Sequence, residues 1–70
     1  MRRRTVESTT LRSVGYESAS QVLEVEFCSG AIYQYFEVPA KAHQALWDAE
    51  SKGQYFNLHI RDQYEFRRLA

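Results

Sequence analysis

A chain of 70 residues with nine basic and nine acidic side chains, 44% hydrophobic and 26% charged, has the balance of one folded domain without net charge. That balance excludes a disordered polar tail, and no apolar run reaches the ~20 residues of a membrane-spanning helix. The single cysteine excludes an internal disulfide framework and a cysteine-rich zinc module, and it fits a reducing, cytoplasmic setting.

The first eight residues, Met-Arg-Arg-Arg-Thr-Val-Glu-Ser, are polar and predict a frayed start. Residues 11–17 alternate loosely and predict a strand, with Gly15 marking either a bulge or a close backbone approach. Ser18-Ala19-Ser20 is a turn by composition. Residues 21–27 alternate cleanly, with Leu23, Val25 and Phe27 on one face and Val22, Glu24 and Glu26 on the other. Residues 32–38 are rich in aromatic and β-branched side chains and predict the next strand. Between the two, Cys28-Ser29-Gly30 predicts a three-residue hairpin loop with glycine in the left-handed position. That loop sets Phe27 opposite Ala31, Val25 opposite Tyr33 and Leu23 opposite Tyr35, so both tyrosines join the apolar face. A two-residue loop would turn them to the other side.

Val38-Pro39 ends the sheet, with proline at the first position of a helix over residues 40–51. Ala42, Ala45, Leu46 and Ala49 form its apolar stripe, and Trp47 lies at the margin. Gly53 reads as a left-handed cap. A second short helix is predicted over residues 54–62, with Phe56 and Ile60 sharing a face. From Tyr64 onward the pattern fits an extended or a frayed chain equally. The fold class is α+β: a three-stranded antiparallel β-meander followed by two short helices packed on one face.

Several of these segments occur together in a known family. They are Val6-Glu7-Ser8-Thr9-Thr10-Leu11, Val14-Gly15-Tyr16-Glu17, Tyr33-Gln34-Tyr35, Val38-Pro39 and Gly53-x-Tyr55-Phe56-Asn57-x-x-Ile60-Arg61. In this order and spacing they resemble the KTSC domain, named for its place at the C-terminus of some lysyl-tRNA synthetases. The resemblance covers residues 6–66. It implies a single-domain bacterial protein and a role in RNA binding, which has been suggested for the family through its link to a tRNA enzyme.

The charge pattern gives a second view. Residues 1–12 carry four arginines against one glutamate, and residues 61–70 carry three arginines against one aspartate and one glutamate. If the termini meet, Arg2, Arg3, Arg4, Arg67 and Arg68 form one basic surface able to pair with phosphate. Tyr33 and Tyr35 would then be either core residues, as the loop favours, or a base-stacking platform. Asn57 and Arg61, one turn apart, either read an anion or base or partner the buried phenols. The expected partner is RNA, transfer or single-stranded. The alternative is another protein or a second copy of the chain, docking on a strip formed by Val22, Ile32 and Phe36, or pairing with an open edge at residues 11–17.

Catalytic readings are weak. Cys28, His43 and His59 match no zinc spacing and lack a fourth ligand, so no metal and no cofactor is expected. Glu24 and Glu26 share a face expected to be solvated, which implies no acid–base pair. The sequence predicts a non-enzymatic binding module without catalytic residues.

Overall fold

The alternation of residues 22–27 and 32–35 builds the centre of a sheet. A computed structural model describes residues 1–70 as β1 (Arg4–Thr5), β2 (Leu11–Glu17), β3 (Val22–Phe27), β4 (Ile32–Tyr35), α1 (Ala40–Asp48), α2 (Lys52–His59) and β5 (Phe66–Arg68). Gly30 sits at φ +97°, and the hairpin register is the one its loop dictates: Leu23 opposite Tyr35 and Val25 opposite Tyr33. Phe27 N–H donates to Ala31 O at 2.9 Å, closing the loop.

The sheet is antiparallel and its spatial order β1-β2-β3-β4-β5 follows the sequence, but it has five strands rather than the three expected. Both extra strands come from the tails, the first of which read as frayed and the second as either extended or frayed. β1 has two residues, too few for alternation to show, and pairs Arg4 with Val14 and Thr5 with Ser13. β5 returns after both helices to pair with β4, a contact between distant parts of the chain that local pattern does not announce. As a result β2 lies inside the sheet and is not the open edge anticipated for it.

The irregularity in β2 falls between Leu11 and Ser13, not at Gly15. Gly15 marks a close approach instead: a Cβ there would lie 2.6 Å from the Arg2 carbonyl oxygen. Gly53 is likewise no left-handed cap. It lies in the first turn of α2, where a Cβ would come within 3.1 Å of the hydroxyls of Ser8 and Thr10. Two residues before it, Ser51 caps that same end of the helix, and the serine hydroxyl accepts from Gln54 N–H at 3.3 Å. Ser51-x-x-Gln54 is a capping-box spacing, and it is the signal that places the start of α2 two residues early.

Both helices cover one face of the sheet. Leu11, Val14, Leu23, Val25, Tyr35, Val38, Leu46, Phe56 and Ile60 form the buried cluster between the layers. The Tyr16 hydroxyl donates to Val38 O at 2.6 Å, which fixes the chain where it leaves the sheet for Pro39 and α1.

The uncovered face carries a polar network. Arg3 is ion-paired to Glu24 and donates to Ser13 Oγ at 2.9 Å. Gln34 donates to Glu24 at 2.9 Å and Ser13 to Glu26 at 2.8 Å. Glu24 is only 5% exposed, so the expectation of a solvated carboxylate pair is corrected: β1 brings Arg3 across it.

Candidate nucleic-acid interface

Period-two alternation sends Phe66 and Arg68 of β5 to the helix side of the sheet, beside Tyr35 and Tyr33 of β4. At the end of α2 the amides of Ile60 and Arg61 both donate to Phe56 O, which turns the chain and brings Arg61 and Asp62 toward the same place. An open cleft of about 600 Å³ results. Phe27, Tyr33, Tyr35 and Phe66 supply its aromatic lining, and Asn57, Arg61, Asp62 and Arg68 its charged and amide lining.

The rings form a cluster. Phe66 lies 5.6 Å from Tyr33 and 5.7 Å from Tyr35, and the two tyrosines are 6.3 Å apart at 21°. Their exposure differs. Tyr35 is 3% exposed and belongs to the core, Tyr33 is half-buried, and Phe66 is 57% exposed. Arg68 lies 5.9 Å over the Tyr33 ring. The side-chain ion pairs of the fold are Arg3 with Glu24 and Arg12 with Glu26. Arg61 meets no side-chain carboxylate, and Arg68 donates from Nε to Ala70 O at 2.8 Å, which leaves its terminal NH2 groups for a ligand. Two arginines against Asp62 leave the cleft with one excess positive charge. The arrangement offers a ring face for a planar group, guanidinium donors for an anion and an amide able to both donate and accept.

Tyr33, Tyr35, Asn57, Arg61 and Arg68 therefore come together, although no hydrogen bond joins the amide or guanidinium to the phenols. The others lie elsewhere. Arg2, Arg3 and Arg4 belong to the opposite edge, four strand spacings or roughly 19 Å from β5. The single basic surface expected from the two termini does not form. Arg67, paired in register with Gln34, is on the uncovered face. Val22 and Ile32 are half-buried on that face, but the hydrogen-bonded Glu24–Gln34 pair lies between them. Phe36, also half-buried, lies beside Tyr64 and Phe66, and no continuous apolar strip results. Phe66 is the site residue that sequence reasoning missed. Its signal was the alternation of Tyr64, Phe66 and Arg68, once the tail is taken as a strand.

Burial first, and then the neighbouring Tyr33, push the Tyr35 phenol from 10.0 up to about 12, while Arg61 pulls it down and Asp62 raises it. An unfolded Tyr35 ionises at 10.0 while the folded one keeps its proton to about 12, so stability falls as pH rises between those values. Burial also raises the Tyr16 phenol, so a phenolate absorbance titration should show a late phase to which Tyr35 contributes at about 12, and Tyr35→Phe should remove that contribution.

The sequence profile of the KTSC domain matches residues 7–64. The chain belongs to the KTSC domain family. An uncharacterized protein of Stutzerimonas stutzeri is 47% identical over 64 residues, which cover 91% of this chain and 90% of that one. A lysine–tRNA ligase of Nostoc punctiforme is 39% identical over 64 residues, and there the matched stretch is 11% of the ligase. The crystal structure of a KTSC domain protein from Yersinia pestis superposes with a TM-score of 0.95 at 35% identity, covering 99% of this chain and 97% of that one. The five-stranded sheet with two helices is thus shared with a solved KTSC domain protein, and this chain's Tyr33 and Tyr35 lie on its β4. No helix is long and apolar enough to cross a membrane.

Proposed function

We propose that this KTSC domain is a non-catalytic module that binds single-stranded RNA in the cleft between β4, β5 and α2. The observation that carries the reading is the exposed Phe66 ring beside Tyr33, with Arg61, Arg68 and Asn57 around it. A base stacks on the ring, the guanidinium groups meet its phosphate, and Asn57 meets its edge. A relative named as a lysine–tRNA ligase adds support, because such an enzyme handles an RNA with unpaired loops. With an overall charge of zero the electrostatic pull is local rather than spread over the whole molecule, which calls for weak, salt-sensitive binding.

The test is an amide-shift titration with a short oligouridylate at low salt. Shifts should centre on Tyr33, Asn57, Arg61, Phe66 and Arg68. Phe66→Ser should weaken binding by the worth of one stacked base, about 1–3 kcal/mol, with the fold intact because the ring is mostly exposed. Arg61→Ala should lower the log–log salt slope by about 0.7, the share of one phosphate contact on a single strand. Absence of shifts at these residues overturns the reading.

A further inference from the structure

Strand alternation divides the three consecutive arginines at positions 2–4. Arg3 turns to the uncovered face and is engaged by Glu24 and Ser13. Arg2 and Arg4 turn the other way, toward α1, where neither meets a carboxylate. There they border a second cleft, of about 340 Å³, shared with Tyr16 of β2 and His43, Gln44 and Trp47 of α1. No acidic residue lines it. The carboxylate one turn along α1, Asp48, is engaged by Gln44 at 3.0 Å.

Beside the two arginines are three rings. Tyr16 and His43 stack almost parallel, 4.5 Å apart at 9°, and Trp47 follows at 6.3 Å from His43. Trp47 is flanked by cations, with the Arg4 guanidinium 5.8 Å and the Lys52 ammonium 5.7 Å from its ring. Burial pushes the His43 imidazole below its ordinary 6.5, so at neutral pH the ring stack is uncharged and the positive charge belongs to the arginines and Lys52. A cleft with aromatic walls, unpaired guanidinium groups and no acid suits a ligand that joins a dianionic group to a planar ring.

We propose that this cleft is a nucleotide subsite, in which Arg2 and Arg4 hold a phosphate and the attached base lies against the Tyr16, His43 and Trp47 rings. It shares no residue with the β4–β5 cleft, so either site can fail without the other. The shared chemistry is a nucleoside phosphate, whether a free mononucleotide or one unit of a strand.

Trp47 is the sole tryptophan, and its fluorescence reports this cleft alone. Titration with adenosine 5′-monophosphate at low salt should give a saturable change. Adenosine and inorganic phosphate, each carrying half of the recognised chemistry, should bind at least about tenfold more weakly. The double variant Arg2→Ser with Arg4→Ser should lose at least about tenfold in affinity. Gln44→Glu, which puts a carboxylate on the wall without touching β1, should weaken binding in the same direction and guards against a folding artefact in the double variant. Tighter binding of an oligoadenylate than of the monophosphate assigns the site to a strand, and equal binding assigns it to the free nucleotide. A flat Trp47 signal up to about 10 mM monophosphate overturns the proposal. So does inorganic phosphate binding as tightly as the nucleotide, or unchanged affinity in both variants. In those cases the oligouridylate shifts at Phe66 and Tyr33 stand or fall separately.

Discussion

Replacing Phe56 by alanine should remove about 3–5 kcal/mol of stability, as large as the whole net stability a core this small supplies. Phe56 is fully buried and meets Phe27 and Tyr35 edge-on, at 5.4 Å and 5.3 Å between ring centroids. It is the ring through which α2 holds both strands of the central hairpin. The cavity left by its removal cannot be refilled, because the aromatic neighbours are anchored by register on β3 and β4. The variant should be mostly unfolded by far-ultraviolet circular dichroism and should show no cooperative urea transition. A loss below about 1 kcal/mol would mean that the two layers are held together elsewhere.

Gly15→Ala is the second large effect. The new methyl would stand 2.6 Å from the Arg2 carbonyl oxygen, a backbone atom that cannot swing aside, so β1 must move off the sheet. Moving β1 withdraws Arg3 from Glu24, which is 5% exposed, and a carboxylate left there without its cation is costly. Arg3 itself keeps 26% of its side chain in solvent, so the loss is set at about 1–3 kcal/mol, below that of a fully buried pair. Urea unfolding should give that figure for Gly15→Ala and a similar one for Arg3→Ala. The double variant should lose less than the two losses added, because both act through the same strand. Full additivity would separate the glycine from the ion pair.

The central hairpin was legible because glycine at a fixed offset and period-two alternation determine register without any distant partner. The same logic turned Tyr33 and Tyr35 toward the helices. Phe56 and Ile60 were legible as one buried face, although the helix beneath them begins at Lys52, where Ser51 caps it. The β4–β5 cleft was half legible: Tyr33, Tyr35, Asn57, Arg61 and Arg68 were named, but Phe66 was not, since its role depends on a strand pairing that closes across both helices. The arginines misled for a related reason. Like charge near both termini says nothing about where a sheet puts its two edges, and here one edge holds Arg4 and the other Arg67 and Arg68.

Those margins have a bearing on how copies of the protein meet. The outermost strands are two and three residues long, and arginine makes up half of the first and most of the second. Two such rims approaching side by side offer few free amides and carbonyls and repel one another by charge. At high concentration, growth of the sheet from one molecule into the next is discouraged by construction.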